Sequence, residues 1–106
     1  EGERPEDAAR RELMEETGYA GGSWRELTVL SANTSTMNNV CHCFVATGVE
    51  KAGTQHLDRT EDIDVCLLTG DEAFALLAGD KIRQSLMAAP LWKYFFEKRA
   101  AAASGK

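Results

Sequence analysis

Three glutamates in one short segment, Arg11-Glu12-Leu13-Met14-Glu15-Glu16-Thr17-Gly18-Tyr19, offer chemistry before any other part of the chain does. With Glu12 set at 0° on a helix, a step of ~100° per residue puts Glu15 near −60° and Glu16 near +40°. The three carboxylates then share a stripe roughly 100° wide. Like charges at this spacing repel and cost helix stability. A hard divalent cation such as Mg²⁺ removes that cost, because it takes carboxylate oxygens and water as ligands. The plainer alternative is a solvated acidic face, the usual meaning of a charge run.

The stripe needs a helix to carry it, and residues 5–17 supply the signals. Pro5 suits the first helical position, Glu6 and Asp7 favour the positive end, and Gly18 is a C-terminal stop. Arg4 stands at the cap position and is a weak capping residue. Strand-like runs follow at Leu27–Ala32, Val40–Thr47 and Ile63–Leu68. Asn33–Asn39 and Glu50–Glu61 read as polar loops. Thr69-Gly70-Asp71-Glu72 is a capping-box pattern, so a short helix burying Phe74 and Leu77 is expected to end at Gly79. A last helical stretch is expected over Lys81–Arg99, kinked or restarted at Pro90. Leu91, Trp92, Phe95 and Phe96 form its packing face, and residues 100–106 are expected to fray. The order predicts a single α/β or α+β layer domain over residues 1–99.

Composition narrows the function classes. The chain has 106 residues, 43% of them hydrophobic and 27% charged, which is a globular composition. No apolar run is long enough to span a bilayer. The net charge of −5 argues against binding a nucleic-acid backbone, which relies on clustered Lys and Arg. That charge is unevenly spread: residues 1–16 carry −4, the middle −6, and residues 81–106 carry +5. Cys41, Cys43 and Cys66 are an odd count and read as reduced thiols in a cytoplasmic protein. Strand alternation sends His42 to the face opposite Cys41 and Cys43, against a shared zinc site.

Glu3, then seven residues, then Arg11-Glu12-Leu13-x-Glu15-Glu16-x-Gly18-Tyr19 resembles the Nudix box, Gly-x5-Glu-x7-Arg-Glu-U-x-Glu-Glu-x-Gly-U, with U apolar. Six identities at fixed spacing arise by chance in fewer than about one chain in ten thousand at average residue usage. The later pattern Thr60-Glu61-Asp62-Ile63-Asp64-Val65, with Asp71-Glu72-Ala73 and Gly79-Asp80-Lys81-Ile82, is similar to ADP-ribose-type Nudix pyrophosphatases. The box's opening glycine falls before residue 1, so the chain is expected to begin inside its own motif. The resemblance implies an α/β/α sandwich with a mixed sheet, whose N-terminal strands are absent from this chain. The loop Ser31-Ala32-Asn33-Thr34-Ser35-Thr36 lacks the proline that ADP-ribose-preferring members usually carry there.

The same resemblance implies a Mg²⁺- or Mn²⁺-dependent hydrolase that cleaves the pyrophosphate bond of a nucleoside diphosphate linked to X, such as ADP-ribose or a nucleotide sugar. Glu12 and Glu16 would be the principal metal ligands, with Glu15 a third ligand or holder of coordinated water and Glu3 assisting through water. Arg11 would orient the carboxylates by charge-assisted bonds. Glu61 is the expected general base, with Glu16 the other candidate. His56 reads as a solvated loop residue, and Trp24 and Trp92 as packing rather than base-stacking residues. The competing functions are a nucleoside triphosphate or dinucleotide hydrolase and a non-catalytic nucleotide- or partner-binding module. The apolar face at Leu91, Trp92, Phe95 and Phe96 adds the expectation of a homodimer.

Overall fold

The computed structural model describes residues 2–31 and 40–105. Its elements run α1 (Pro5–Thr17), β1 (Tyr19–Ala20), β2 (Ser23–Ser31), β3 (Val40–Thr47), β4 (Glu50–Lys51), α2 (Gly70–Ala78) and α3 (Ser85–Gly105). β1 pairs antiparallel with β4, Tyr19 opposite Lys51 and Ala20 opposite Glu50, while β2 pairs with β3. This α/β content is the fold class expected from the sequence. Among the described residues no helix is long and apolar enough to cross a membrane.

The chain divides into two compact units. The first comprises Glu1–Glu26 and Phe44–Cys66, and is organised around α1. Pro5 opens that helix, and Arg4, which makes no side-chain cap, instead pairs with Asp7 at 3.2 Å. At its other end Gly18 adopts φ +82° and donates its amide to the Met14 carbonyl at 2.8 Å. That left-handed turn suits glycine because it has no Cβ. Here the absence of a side chain matters twice, since a Cβ at Gly18 would run into the Gly53 carbonyl oxygen. Trp24 packs in the same unit, its ring 6.3 Å from Phe44 and 5.0 Å beneath the Arg10 guanidinium.

The second unit comprises Leu27–Cys43 and Leu67–Lys106. Its core is small: Leu27 and Leu77 are 6% and 1% exposed. The capping box forms as its residues predict, with Glu72 N donating to Thr69 Oγ1 at 3.0 Å and Thr69 N to Glu72 Oε1 at 2.9 Å. Phe74 meets Trp92 and Phe95 edge-on, at 5.8 and 5.3 Å, a favoured geometry for ring quadrupoles. Lys93 Nζ donates to the Leu27 carbonyl at 2.6 Å, joining α3 to β2. Cys41 and Cys43 lie half-buried on one face of β3 with their sulfurs 4.0 Å apart, and His42 is exposed.

Three expectations are corrected. Ile63–Leu68 is not a strand. Its apolar alternation is present, but a strand needs a ladder, and the Ile63 carbonyl takes the Gln55 side chain at 2.9 Å while Leu67 is 75% exposed. Of the two outcomes expected at Pro90, a restart is excluded, because α3 runs through it from Ser85. One lost internal bond is tolerated where Trp92 and Phe95 pack the following turn on Phe74. Third, residues 81–84 lie outside the helix, while residues 100–105 extend it to Gly105. Asn33–Asn39 lies outside the described residues, as does Ala32.

Candidate active site

Arg11, Glu12, Glu15, Glu16, His56, Leu57, Asp58 and Glu61 line one open cavity of about 380 Å³ in the first unit. α1 contributes its carboxylate stripe, with the spacing its sequence dictates. The stretch from His56 to Glu61 supplies the rest of the lining, although its residues stand some 40 positions further along the chain.

The loop reaches the helix because helix chemistry demands it. The last four carbonyls of an α-helix have no partner within the helix. In α1 the Met14 carbonyl accepts Gly18 N at 2.8 Å and that of Glu15 accepts His56 N at 2.6 Å. The Glu16 carbonyl accepts Gln55 Nε2 at 2.7 Å, and that of Thr17 accepts Lys51 Nζ at 3.4 Å. One residue later the Gly18 carbonyl accepts both Ala52 N and Gly53 N, at 2.8 and 3.1 Å. The segment from Lys51 to His56 is therefore the C-terminal cap of α1.

Beyond the cap, Asp58 builds a tight turn. Its Oδ1 accepts Thr60 N at 2.9 Å and Thr60 Oγ1 at 2.8 Å, the pattern of an Asx turn. Those two bonds, the hydroxyl's first, hold the Asp58 carboxyl below its ordinary range. Glu61 Oε1 accepts Asp58 N at 2.9 Å, and Glu61 N donates to the Asp58 carbonyl at 3.1 Å. The turn thus fixes the Glu61 carboxylate at the cavity.

Electrostatics single out Glu16. Partial burial, and then the negative charges of Glu12, Glu61 and Glu15, push its carboxyl above the ordinary value. Arg11 does not relieve that crowding. Its Nε and one terminal nitrogen grip Glu3 in a two-pronged contact, each bond 3.1 Å, and its other nitrogen holds Glu15 Oε1 at 3.2 Å. The Arg11 hydrogen bond lowers the Glu3 carboxyl, and Glu3 in turn raises Arg11. Glu3 is consequently engaged with Arg11 and stands outside the cavity lining, while Glu12, Glu15, Glu16 and Glu61 share it.

A divalent ion fits the donor chemistry of Glu12, Glu15, Glu16 and Glu61, whose carboxylate oxygens share this open cavity with Arg11 and His56. Among the described residues, however, no three acidic, imidazole or thiol side chains are gathered tightly enough to hold an ion as they stand. Repulsion within a stripe of carboxylates accounts for such spreading. Glu12, Glu15 and Glu16 are the residues that would close on the ion.

Sequence reasoning missed Gln55, Asp58 and the backbone role of His56, whose side chain is exposed as expected. The Asp58-x-Thr60 spacing carried a turn signal that would have found Asp58. Nothing local marks Gln55 or His56, whose partners lie 39 and 41 positions away. Trp24 and Trp92 stand where packing was expected: Trp24 Nε1 donates to the Gly21 carbonyl at 2.9 Å and Trp92 lies against Phe74.

With this geometry in hand, comparison with known proteins gives two findings. The NUDIX domain model matches residues 1–89. The chain is also 34% identical over 85 residues to a methanol dehydrogenase activator of Bacillus methanolicus, a match covering 79% of this chain. It covers 46% of that protein, so the chain spans about half the length of this relative.

Proposed function

The chain belongs to the Nudix family, and on that premise we propose that it is a Mg²⁺- or Mn²⁺-dependent hydrolase of the pyrophosphate bond in a nucleoside diphosphate linked to X, with ADP-ribose or a nucleotide sugar as substrate. One observation carries the reading. Glu61, distant in sequence, lines the same cavity as Glu12, Glu15 and Glu16, and its charge is among those that raise the Glu16 carboxyl. A stabilising scaffold has no need of a fourth carboxylate brought to a repulsive stripe.

The residues take distinct roles. Glu12, Glu15 and Glu16 would hold the ion, which when bound neutralises the diphosphate and lowers the pKa of water. Glu61 accepts the proton as a water oxygen bonds to phosphorus. The bond from that phosphorus to the bridging oxygen breaks, and the electron pair leaves with the departing phosphate. The products are a nucleoside monophosphate and X-phosphate. Arg11 keeps Glu15 oriented through one nitrogen and Glu3 through two others. Glu3 therefore bears on the site through Arg11 in this arrangement.

The test is a panel of nucleoside-diphosphate substrates with and without metal. AMP release from ADP-ribose is expected only with Mg²⁺ or Mn²⁺, and Glu16→Gln is expected to abolish it. Turnover that survives this substitution on every substrate would sink the assignment.

A second reading comes from the Bacillus methanolicus relative, whose description as a methanol dehydrogenase activator supports a module that acts on a partner enzyme. A dehydrogenase assay with the wild type and Glu16→Gln separates the two. Stimulation that ignores the substitution favours a module without hydrolysis. Two lesser proposals accompany the main one. The exposure of Trp92 and Phe96, 47% and 71%, supports a homodimer through the α3 face, which a strictly monomeric mass across concentrations would rule out. No disulfide links Cys41, Cys43 and Cys66, in keeping with a cytoplasmic setting.

A further inference from the structure

We propose that Gln55 is a positioning residue, whose side-chain amide sets the separation of Glu61 from the carboxylates of α1. This rests on the hydrolase reading above. Its Nε2 donates to two carbonyl oxygens, that of Glu16 at 2.7 Å and that of Ile63 at 2.9 Å. Glu16 belongs to the acidic stripe, and Ile63 lies two residues beyond Glu61. A single nitrogen therefore binds the backbone beneath one carboxylate and the backbone just past the other. The two segments cannot separate by more than two hydrogen bonds without breaking one.

The clamp has a force to resist. Glu61 and Glu16 carry like charges around one cavity. The Asp58 turn shapes the loop internally but does not attach it to α1. Attachment comes from the capping bonds, and among those of the described residues the Gln55 amide spans from α1 to the far side of Glu61. Side-chain chemistry explains why glutamine serves. Both of its amide hydrogens are donors, whereas a glutamate of the same shape would turn an acceptor oxygen toward two carbonyls. Asparagine is one methylene shorter and loses reach.

Both bonds are exposed, so water replaces them at little cost to folding. A purely structural role would then leave a small shift in melting and nothing else. A positioning role leaves a kinetic mark, since a misplacement of about 1 Å costs on the order of 10²-fold in rate.

The experiment uses Gln55→Met and Gln55→Glu in the Mn²⁺-loaded protein. Expected is a fall in kcat of about 10- to 100-fold, with KM and the Mn²⁺ affinity read by electron paramagnetic resonance within about twofold of wild type. The decisive arm repeats Gln55→Met in a Glu61→Gln background. There it is expected to change kcat by less than about twofold, because the residue it positions has gone. Losses that multiply in the double variant, or a loss carried by KM, overturn the proposal. If the wild type turns over nothing in the panel, the hydrolase reading fails by itself, and the clamp is read without turnover. Bound Mn²⁺ should broaden the Glu61 amide resonance in the wild type and broaden it less in Gln55→Met. Equal broadening overturns the clamp.

Discussion

The two units of this chain are held together by different physics. In the first, no side chain of α1 is fully buried; Arg10 lies over the Trp24 ring, and the last turn is held by backbone, amide and ammonium hydrogen bonds from Lys51 to His56. In the second, Phe74, Trp92 and Phe95 pack ring against ring and Leu77 is almost fully enclosed. Apolar packing resists solvent and gives stability, because every buried methylene contributes. Hydrogen bonds exposed to water add little net stability, but they fix direction and distance. The unit that carries the carboxylates is thus built for geometry, and the other for cohesion.

Substitutions can break that contrast, beginning with the most severe. Glu61→Gln is expected to lower kcat by about 10²- to 10⁴-fold, as for loss of a general base. Its thermal midpoint should stay close to that of wild type; a large drop would mean that Glu61 is structural. Leu77→Ala is expected to cost about 2–5 kcal/mol in denaturant unfolding, the range for an emptied leucine site. Mn²⁺ affinity of the protein that remains folded should hold. A parallel loss of metal binding would show the two roles to be shared rather than divided.

Gly18→Ala belongs to both sides of the contrast. The left-handed backbone and the nearby Gly53 carbonyl together put the expected cost at about 1–3 kcal/mol. Because that strain falls where the Lys51–His56 cap begins, kcat should drop along with stability. Stability lost with full activity retained would separate Gly18 from the site.

The smallest expected effect has the opposite sign. Glu16 has its carboxyl raised in the folded protein, by burial first and then by its acidic neighbours. A raised folded pKa means that the folded state holds the proton more tightly than the unfolded state. Metal-free stability should therefore decline as pH rises from below the ordinary carboxylate range through the folded value. Above that window Glu16→Gln should be slightly more stable than wild type, and below it the difference should vanish. Added Mg²⁺ should reverse the order. A Glu16→Gln protein that is less stable at neutral pH without metal would show that Glu16 is not electrostatically crowded.

Legibility followed the range of the interactions. α1 and α2 were readable with their bounds because their signals are local: Pro5 and Gly18 for one, the Thr69 and Glu72 pair for the other. β3 was readable from its alternation. β1 and β4, each two residues long, were not, since pairing Tyr19 with Lys51 is a contact that neither segment announces. Ile63–Leu68 misled for the converse reason. Alternation states that a segment would suit a ladder, while the ladder itself depends on a partner.

For the candidate site the division is sharper. Residue spacing alone put Glu12, Glu15 and Glu16 on one helical stripe, because the pitch of a helix is the same in every protein. It also carried the family resemblance that the match over residues 1–89 upholds. The resemblance named Glu61 in advance; the tertiary structure showed how it reaches the cavity, turned Glu3 onto Arg11, and made a polar loop into the cap of the helix. The physical reason is that a helix end leaves its carbonyls open to any donor of suitable reach. Which distant segment answers is settled when the chain folds, not by the residues beside the helix.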